Sequence, residues 1–407
     1  MGSDPNYVPM QFADRLNKVE TSAIRELFKL LGKPGIISFA GGFPDSAMFD
    51  VQGIQEASAR ALTEEPGAAL QYGATEGYNP LREQLAAFMA SKGVKGLSPE
   101  GLIVTTGSQQ ALDLVAKTLI NPDDVVLVEG PTFLATIQCF RLYGPQVLGV
   151  PIDADGVQVD NLEDMMVKHK PKLVYLVPTF GNPSGATLSL ERRLKVLQLA
   201  VKYQTVVVED DPYGDLYFAE PPPPSLLALS EQVPGSRDWL IYCGSLSKVL
   251  SPGLRLGWMI APPELLARAT MCKQFSDAHT STFAQATAAH YLKAGRMPAT
   301  LAHVRRVYAE RALAMGEALQ RELGDALSFS QPLGGLFFWA ALTGAGGKEK
   351  DGSKLAKRAI EKGVAFVPGA PFFANDPDSS AIRLSFATAD VEKIKEGIAR
   401  LGQALCE

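Results

Sequence analysis

Three observations predict a doubly wound α/β fold with a large, mostly parallel sheet and a smaller α+β domain. First, short runs that are apolar at nearly every position recur between helical patterns: LIVTT (102–106), DVVLVEG (124–130), KLVYLVP (172–178), TVVVED (205–210), WLIYCGS (239–245) and GWMIAP (257–262). Runs without polar alternation suit strands covered on both faces, as in parallel sheets. Second, helical segments lie between them, such as 108–120, with Leu112, Val115 and Leu119 on one stripe, and 191–203. Strand and helix in alternation give a large domain, with the pattern clearest over roughly 55–280. Third, beyond about residue 284 the order changes to a long helical stretch including 301–323, then short strands and two further helices. The expected division is 1–45 as an N-terminal arm and helix joining the small domain, 46–283 as the large domain and 284–407 as the small one.

The chain has 407 residues, a formal net charge of −5 and 20% charged residues, a balance that argues against nucleic acid or an anionic membrane as the main partner. The opening MGSDPNYVPM has neither a basic nor an apolar leader region. No apolar run approaches the ~18 residues of a membrane span. Cys139, Cys243, Cys272 and Cys406 stand far apart, as reduced thiols of a cytoplasmic protein would. His169, His279, His290 and His303 form no metal-binding pair, and no GxSxG elbow occurs. No metal is expected. In GAGGKEKDG (344–352), Leu342 and Glu349 stand where a phosphate loop needs a glycine and a hydroxyl, so this reads as a surface loop. PPPP at 221–224 cannot join a central strand and reads as exposed polyproline.

In open parallel sheets, ligands bind beyond the carboxyl ends of the strands, so the polar residues placed there matter most. The first run ends in TTGSQQ: Gly107 permits close backbone approach, and Ser108 and Gln109 begin a helix whose positive end suits a phosphate, or serve as a plain cap. The fourth run ends in EDDPYGDLY. Asp210 shares a face with Val208 and Val206, Glu209 points the other way, and Tyr213 follows three residues on. A carboxylate at the mouth of a buried strand calls for a cation. The third run leads to GNPSG, a tight turn that exposes the Asn182 amide. The fifth leads to CGSLSKVLSPGLRLGW (243–258), where Lys248 follows a strand end beside Ser245, Ser247 and Arg255. A lysine in a partly dry crevice beside cations keeps a free amine able to attack a carbonyl.

Together these parts describe one ligand, pyridoxal 5′-phosphate. Its phosphate would go to Ser108, Gln109, Ser245, Ser247 and Arg255, and its ring nitrogen to Asp210. Its ring hydroxyl would face Asn182 and Tyr213, its aldehyde Lys248, and Phe133 would stack on the ring.

At this point the chain resembles, over nearly its whole length, the fold-type I pyridoxal-phosphate-dependent aminotransferases of class I/II. It is most similar to the 2-aminoadipate and kynurenine aminotransferase branch, through ETSAIRELFKLLGKPGIISFAGGFPDSAMF (20–49), LQYGATEGYNPLRE (70–83), TTGSQQALDL (105–114), GNPSG, EDDPYGDL, GSLSKVLSPGLRLGW and AIRLSFA. The resemblance implies that Lys248 is the Schiff-base lysine, Asp210 the ring-nitrogen partner, and Asn182 with Tyr213 the pair at the ring oxygen. It implies that Arg383 binds the substrate α-carboxylate, and the residues agree: Arg383 faces away from Ile382 and Leu384, and its planar fork suits a carboxylate. It further implies that Tyr72 reaches the neighbouring subunit's site, hence a homodimer with shared active sites. Ser22, Ile24 and Arg25 would lie on a helix over the side-chain pocket, and Gly42 would contact substrate. Arg25 would pair with a distal carboxylate, swing away, or be a solvated helix charge. Where this branch commonly has tyrosine, Phe133 stands, keeping the stacking without the hydroxyl.

The expected reaction is transamination between an L-amino acid (2-aminoadipate, glutamate, aromatic or aliphatic), its carboxylate held by Arg383 and Asn182, and a 2-oxo acid such as 2-oxoglutarate. Two alternatives stand beside it: a lyase of the same fold, which would use the same Lys248 and Asp210, and the effector domain of a DNA-binding regulator.

Overall fold

The computed structural model describes residues 10–18 and 35–406. An eight-stranded sheet is built from β1 (Leu102–Thr105), β2 (Val125–Gly130), β3 (Gln146–Asp153), β4 (Gly156–Val157), β5 (Leu173–Leu176), β6 (Val206–Asp211), β7 (Leu240–Ser245) and β8 (Gly257–Ile260), in the order β1-β8-β7-β6-β5-β2-β3-β4. The ladders β7/β6, β6/β5, β5/β2 and β2/β3 are parallel. Strand β8 runs antiparallel between β1 and β7. Strands β1, β5, β7 and β8 are buried at every position, which is why their sequences are continuously apolar. β3 and β4 escape the sequence reading because β3 lies near the sheet edge, is half solvated, and contains Gly149 and Pro151.

The helices used below are α1 (Val51–Glu64), α2 (Asn79–Ser91), α3 (Ser108–Leu119), α4 (Leu134–Arg141), α5 (Leu190–Tyr203) and α6 (Met297–Leu323). The expected helices at 108–120 and 191–203 correspond to α3 and α5 within one residue at each end, and 301–323 lies within α6. A second sheet follows, of β9 (Leu327–Phe329), β10 (Phe337–Leu342), β11 (Val367–Pro368) and β12 (Ala381–Ser385), antiparallel in the order β9-β10-β12-β11. A short parallel ladder pairs Ile37–Ser38 with Val364–Ala365, and Phe39 O accepts from Ser385 N at 2.7 Å. The segment carrying Ala40 and Gly42 is thereby laid beside β12, where Arg383 sits. PPPP at 221–224 forms no helix or strand.

One buried cation ties the carboxyl ends of β5 and β6 together. Arg193 on α5 is fully buried and donates to Leu188 O (2.8 Å), Pro178 O (2.8 Å), Thr179 Oγ1 (2.7 Å) and Pro224 O (3.3 Å). Its guanidinium stands 4.0 Å from Glu209 Oε1, whose carboxylate accepts from Leu226 N and Leu227 N at 2.8 and 3.0 Å. Burial raises the Glu209 carboxyl to about 7, so Arg193 is what favours its charged form. Glu209 thus anchors the outer face of β6 while its neighbour Asp210 faces the opposite way. Arg193→Met should leave a buried acid and several carbonyls unpaired, costing about 3–5 kcal/mol of stability in urea unfolding. A loss within about 0.5 kcal/mol would contradict this anchoring role.

Candidate active site

Lys248 lies in a bend because β8 is antiparallel. A parallel successor to β7 would need a helix crossing back to the other edge of the sheet. An antiparallel one needs only a reversal, and residues 246–256 make it at the carboxyl edge, carrying Lys248 and Arg255. Gly257 opens β8, paired with Thr105 on one side and Ser245 on the other. A Cβ at Gly257 would lie 2.7–2.8 Å from Gly107 C, Gly244 O and Ser108 N. Only glycine lets the N-terminus of α3 approach the serine turn this closely. Gly107, at φ 78°, caps α3, and a Cβ there would sit 2.7 Å from the Arg255 guanidinium. The first N–H groups of α3, the Ser245 and Ser247 hydroxyls and Arg255 therefore converge. Ser247 N donates to Ser245 Oγ at 3.1 Å, and Arg255 reaches only Pro252 O, at 3.4 Å, among the described residues. This is an anion cradle built from a helix N-terminus and a guanidinium.

A cleft of about 480 Å³ opens beside it, lined among others by Gly42, Phe133, Asn182, Asp210, Tyr213, Lys248 and Arg383. Lys248 Nζ donates to Gly42 O at 2.7 Å. Burial, then the nearby Arg383 and Arg255 charges, lowers the amine from 10.5 to about 8. About one molecule in ten then carries the free amine at pH 7. Arg383, 4% exposed in the interior strand β12, donates to Asn182 Oδ1 (2.8 Å) and Ala40 O (2.7 Å), and lies over the rings of Phe337 and Phe372 at 4.4 and 4.9 Å. Burial lowers it to about 10, so it stays charged at neutral pH. Its Nε has no partner among the described residues. Asn182 also donates to Tyr213 Oη at 3.5 Å, bridging the arginine and the phenol, and burial raises the Tyr213 phenol well above its ordinary value.

Asp210 is 2% exposed. Its Oδ2 accepts from Tyr175 Oη at 2.7 Å, and its Oδ1 is buried without a partner among the described residues. Burial raises this carboxyl to about 7. An orphaned carboxylate oxygen facing a cleft is the fit expected for a protonated ring nitrogen. Pyridoxal 5′-phosphate meets each requirement in turn: its phosphate suits the anion cradle, its ring nitrogen Asp210 Oδ1, and its ring oxygen the Asn182–Tyr213 pair.

Of the residues singled out from sequence, Gly42, Ser108, Gln109, Phe133, Asn182, Asp210, Tyr213, Ser245, Ser247, Lys248, Arg255 and Arg383 all line this one cleft. Gly107 supports it from behind. Tyr72 does not line it: its side chain is 85% exposed, with its ring edge 5.8 Å from His279. Ser22, Ile24 and Arg25 lie outside the described residues. The sequence reading missed Phe43, Leu134 and Phe372, which supply apolar wall, Gln138, which adds an amide, and Tyr175. A tyrosine within a run buried on both faces was the available signal for the last, since its hydroxyl must find a partner. Among the described residues no group of histidine, cysteine, aspartate or glutamate is arranged to hold a metal, and no helix is long and apolar enough to cross a membrane.

The family model for aminotransferase class I and II matches residues 35–401. The 2-aminoadipate transaminase of Thermus thermophilus is 44% identical over 396 residues, covering 97% of this chain and 96% of that protein. Among solved structures, α-aminoadipate aminotransferase from T. thermophilus in complex with N-(5′-phosphopyridoxyl)-L-leucine aligns with a TM-score of 0.89 at 42% identity, covering 97% of each chain. Pyrococcus horikoshii kynurenine aminotransferase aligns with a TM-score of 0.91 at 38% identity, covering 97% of this chain and 96% of that one.

Gly257→Ala should push the start of α3 off the serine turn and weaken cofactor binding at least tenfold in a spectrophotometric titration. Gly253→Ala is the control, because a Cβ there meets nothing nearer than Ser251 Oγ at 3.6 Å. Equal affinity in the two variants would contradict the packing described.

Proposed function

Because this chain belongs to the aminotransferase class I and II family, we propose that the cleft around Lys248 exchanges the amino group of an L-amino acid with the oxo group of a 2-oxo acid. The protein is a pyridoxal-phosphate-dependent transaminase of fold type I. The relatives favour amino transfer over the lyase and regulator readings. The observation that carries the residue assignment is the buried Lys248 amine, lowered to about 8, in one cleft with the unpaired Oδ1 of Asp210.

When bound, pyridoxal 5′-phosphate supplies an aldehyde that bonds to an amine and a ring that withdraws electrons. The chain does the rest. Ser108, Gln109, Ser245, Ser247 and Arg255 would hold the phosphate, and Phe133 would stack on the ring. Asp210 keeps the ring nitrogen protonated, and Asn182 with Tyr213 holds the ring oxygen. Arg383, already oriented by Asn182 and Ala40 O, binds the substrate α-carboxylate. Lys248 would hold the cofactor covalently through its amine. As a free amine beside the cleft, Lys248 would be the group to take the proton from the substrate α-carbon and to return it during amino transfer. Burial first, and then the Arg383 and Arg255 charges, lower the amine so that about one in ten is unprotonated at pH 7.

The donor is a 2-aminoadipate, glutamate, aromatic or aliphatic amino acid, and a 2-oxo acid such as 2-oxoglutarate serves as acceptor. Phe43, Leu134 and Phe372 give the cleft an apolar wall suited to aromatic or aliphatic side chains, while Arg25 would serve a distal carboxylate. The working unit is a homodimer in which Tyr72 completes the neighbouring site, a reading supported by the exposure of that side chain in the single chain. Four unpaired cysteines suit a reducing cytoplasm.

Three measurements test this reading. Borohydride treatment of the cofactor-loaded protein should fix an adduct on Lys248, and Lys248→Ala should show none and lose nearly all turnover; near-normal turnover in that variant would refute the mechanism. Arg383→Ala should mainly raise the donor KM, by roughly 10- to 100-fold, matching the 1.5–3 kcal/mol of a charged hydrogen bond. The rate at which Lys248 captures the cofactor aldehyde should climb as pH rises through about 8 and then level off, because only the unprotonated amine reacts; a rate that falls over that range would contradict it.

A further inference from the structure

The chemistry above leaves Tyr175 unused, although it is the protein group bonded to Asp210. Tyr175 in β5 pairs with Val208 in β6, so its side chain shares the face of Asp210, two residues further along β6. It is fully buried, its ring edge-on to Phe140 at 5.8 Å, and its hydroxyl donates to Asp210 Oδ2 at 2.7 Å while Oδ1 stays unpartnered.

We propose that Tyr175 is a positioning residue for Asp210: by occupying Oδ2 it turns Oδ1 to the cleft and weakens the carboxylate as a base, so a proton shared with the cofactor's ring nitrogen rests on the nitrogen. This rests on the reading that Asp210 pairs with that nitrogen. The physical cause is that a hydrogen bond donated to a carboxylate favours its charged form. The other groups around Asp210 do not help. Glu129 of β2, Asp211 on the same strand, Cys243 of β7 and Tyr213 after β6 are all acids. Burial and Asp211 raise the Asp210 carboxyl, and the Tyr175 hydroxyl opposes them. Glu129 is itself raised to about 8 by burial and so is mostly uncharged at pH 7.

If the hydroxyl only satisfies a buried phenol, its removal should leave the cofactor's protonation unchanged. The test uses holoenzyme loaded with cofactor carrying ¹⁵N in the ring. In Tyr175→Phe at pH 7 the ring-nitrogen resonance should move toward the unprotonated position. A shift of about one pKa unit in Asp210 corresponds to a tenfold change, so kcat should fall about tenfold with the donor KM held within about twofold. Wild-type resonance and kcat in this variant would overturn the proposal. Asp210→Asn separates the two levels. If it moves the resonance and Tyr175→Phe does not, only the Tyr175 role fails; if it moves nothing, the Asp210 assignment falls with it. Should Tyr175→Phe not fold, fluorinated tyrosines of graded acidity at position 175 keep the shape. Turnover should then rise with hydroxyl acidity, and a flat series would overturn the proposal.

Discussion

The site depends on an aspartate that the fold buries without giving it a cation among the described residues. Asp210 stands at the carboxyl end of β6, inside a sheet covered on both faces, where an ionised carboxylate is costly unless something positive meets it. Its neighbour Glu209 has Arg193 and two backbone N–H groups. Asp210 has one phenol and an empty-handed oxygen. Two adjacent acids on one strand are thus treated oppositely, one satisfied as structure and one left incomplete. The incomplete one faces the cleft.

Across that cleft the imbalance is reversed. Lys248, Arg255 and Arg383 line the same cleft, and burial, with the charges of the two arginines, makes the lysine the one that most readily gives up its proton. Arginine cannot do so near neutral pH, even when burial lowers it as far as it does Arg383. The division of labour between nucleophile and carboxylate clamps therefore follows from side-chain chemistry once the three are brought together. A ligand that is anionic at one end and carries a protonatable nitrogen at the other balances both sides. The apolar walls keep water from screening the exchange.

The arrangement also shows how backbone topology selects chemistry. The antiparallel entry of β8 keeps the β7–β8 reversal at the carboxyl edge, and the glycines at 107 and 257 bring the start of α3 against it. The ladder of Ile37–Ser38 with Val364–Ala365 brings Ala40 and Gly42 to Arg383 and Lys248, two residues more than 200 positions away in sequence. These contacts join the second sheet to the first at the place where substrate must sit. Tyr175 belongs to the same logic, since cross-strand register alone puts its hydroxyl under Asp210.

Much was legible in the order of residues. Continuous apolar runs announced the interior strands, and polar residues just past their ends marked Ser108, Asn182, Asp210 and Lys248, because a strand's carboxyl end is a local property that composition reveals. The opposed facing of Glu209 and Asp210 followed from the two-residue strand period. Long-range partnership was not legible: that Lys248 bonds Gly42, that Asn182 bridges Arg383 and Tyr213, and that Tyr175 holds Asp210. The linear chain by itself determined which chemical groups are available and which secondary elements carry them, since periodicity and turn chemistry are set by near neighbours. Only the tertiary structure decided which acid is left unpaired and which amine is discharged, because burial and Coulomb interaction depend on distances in space.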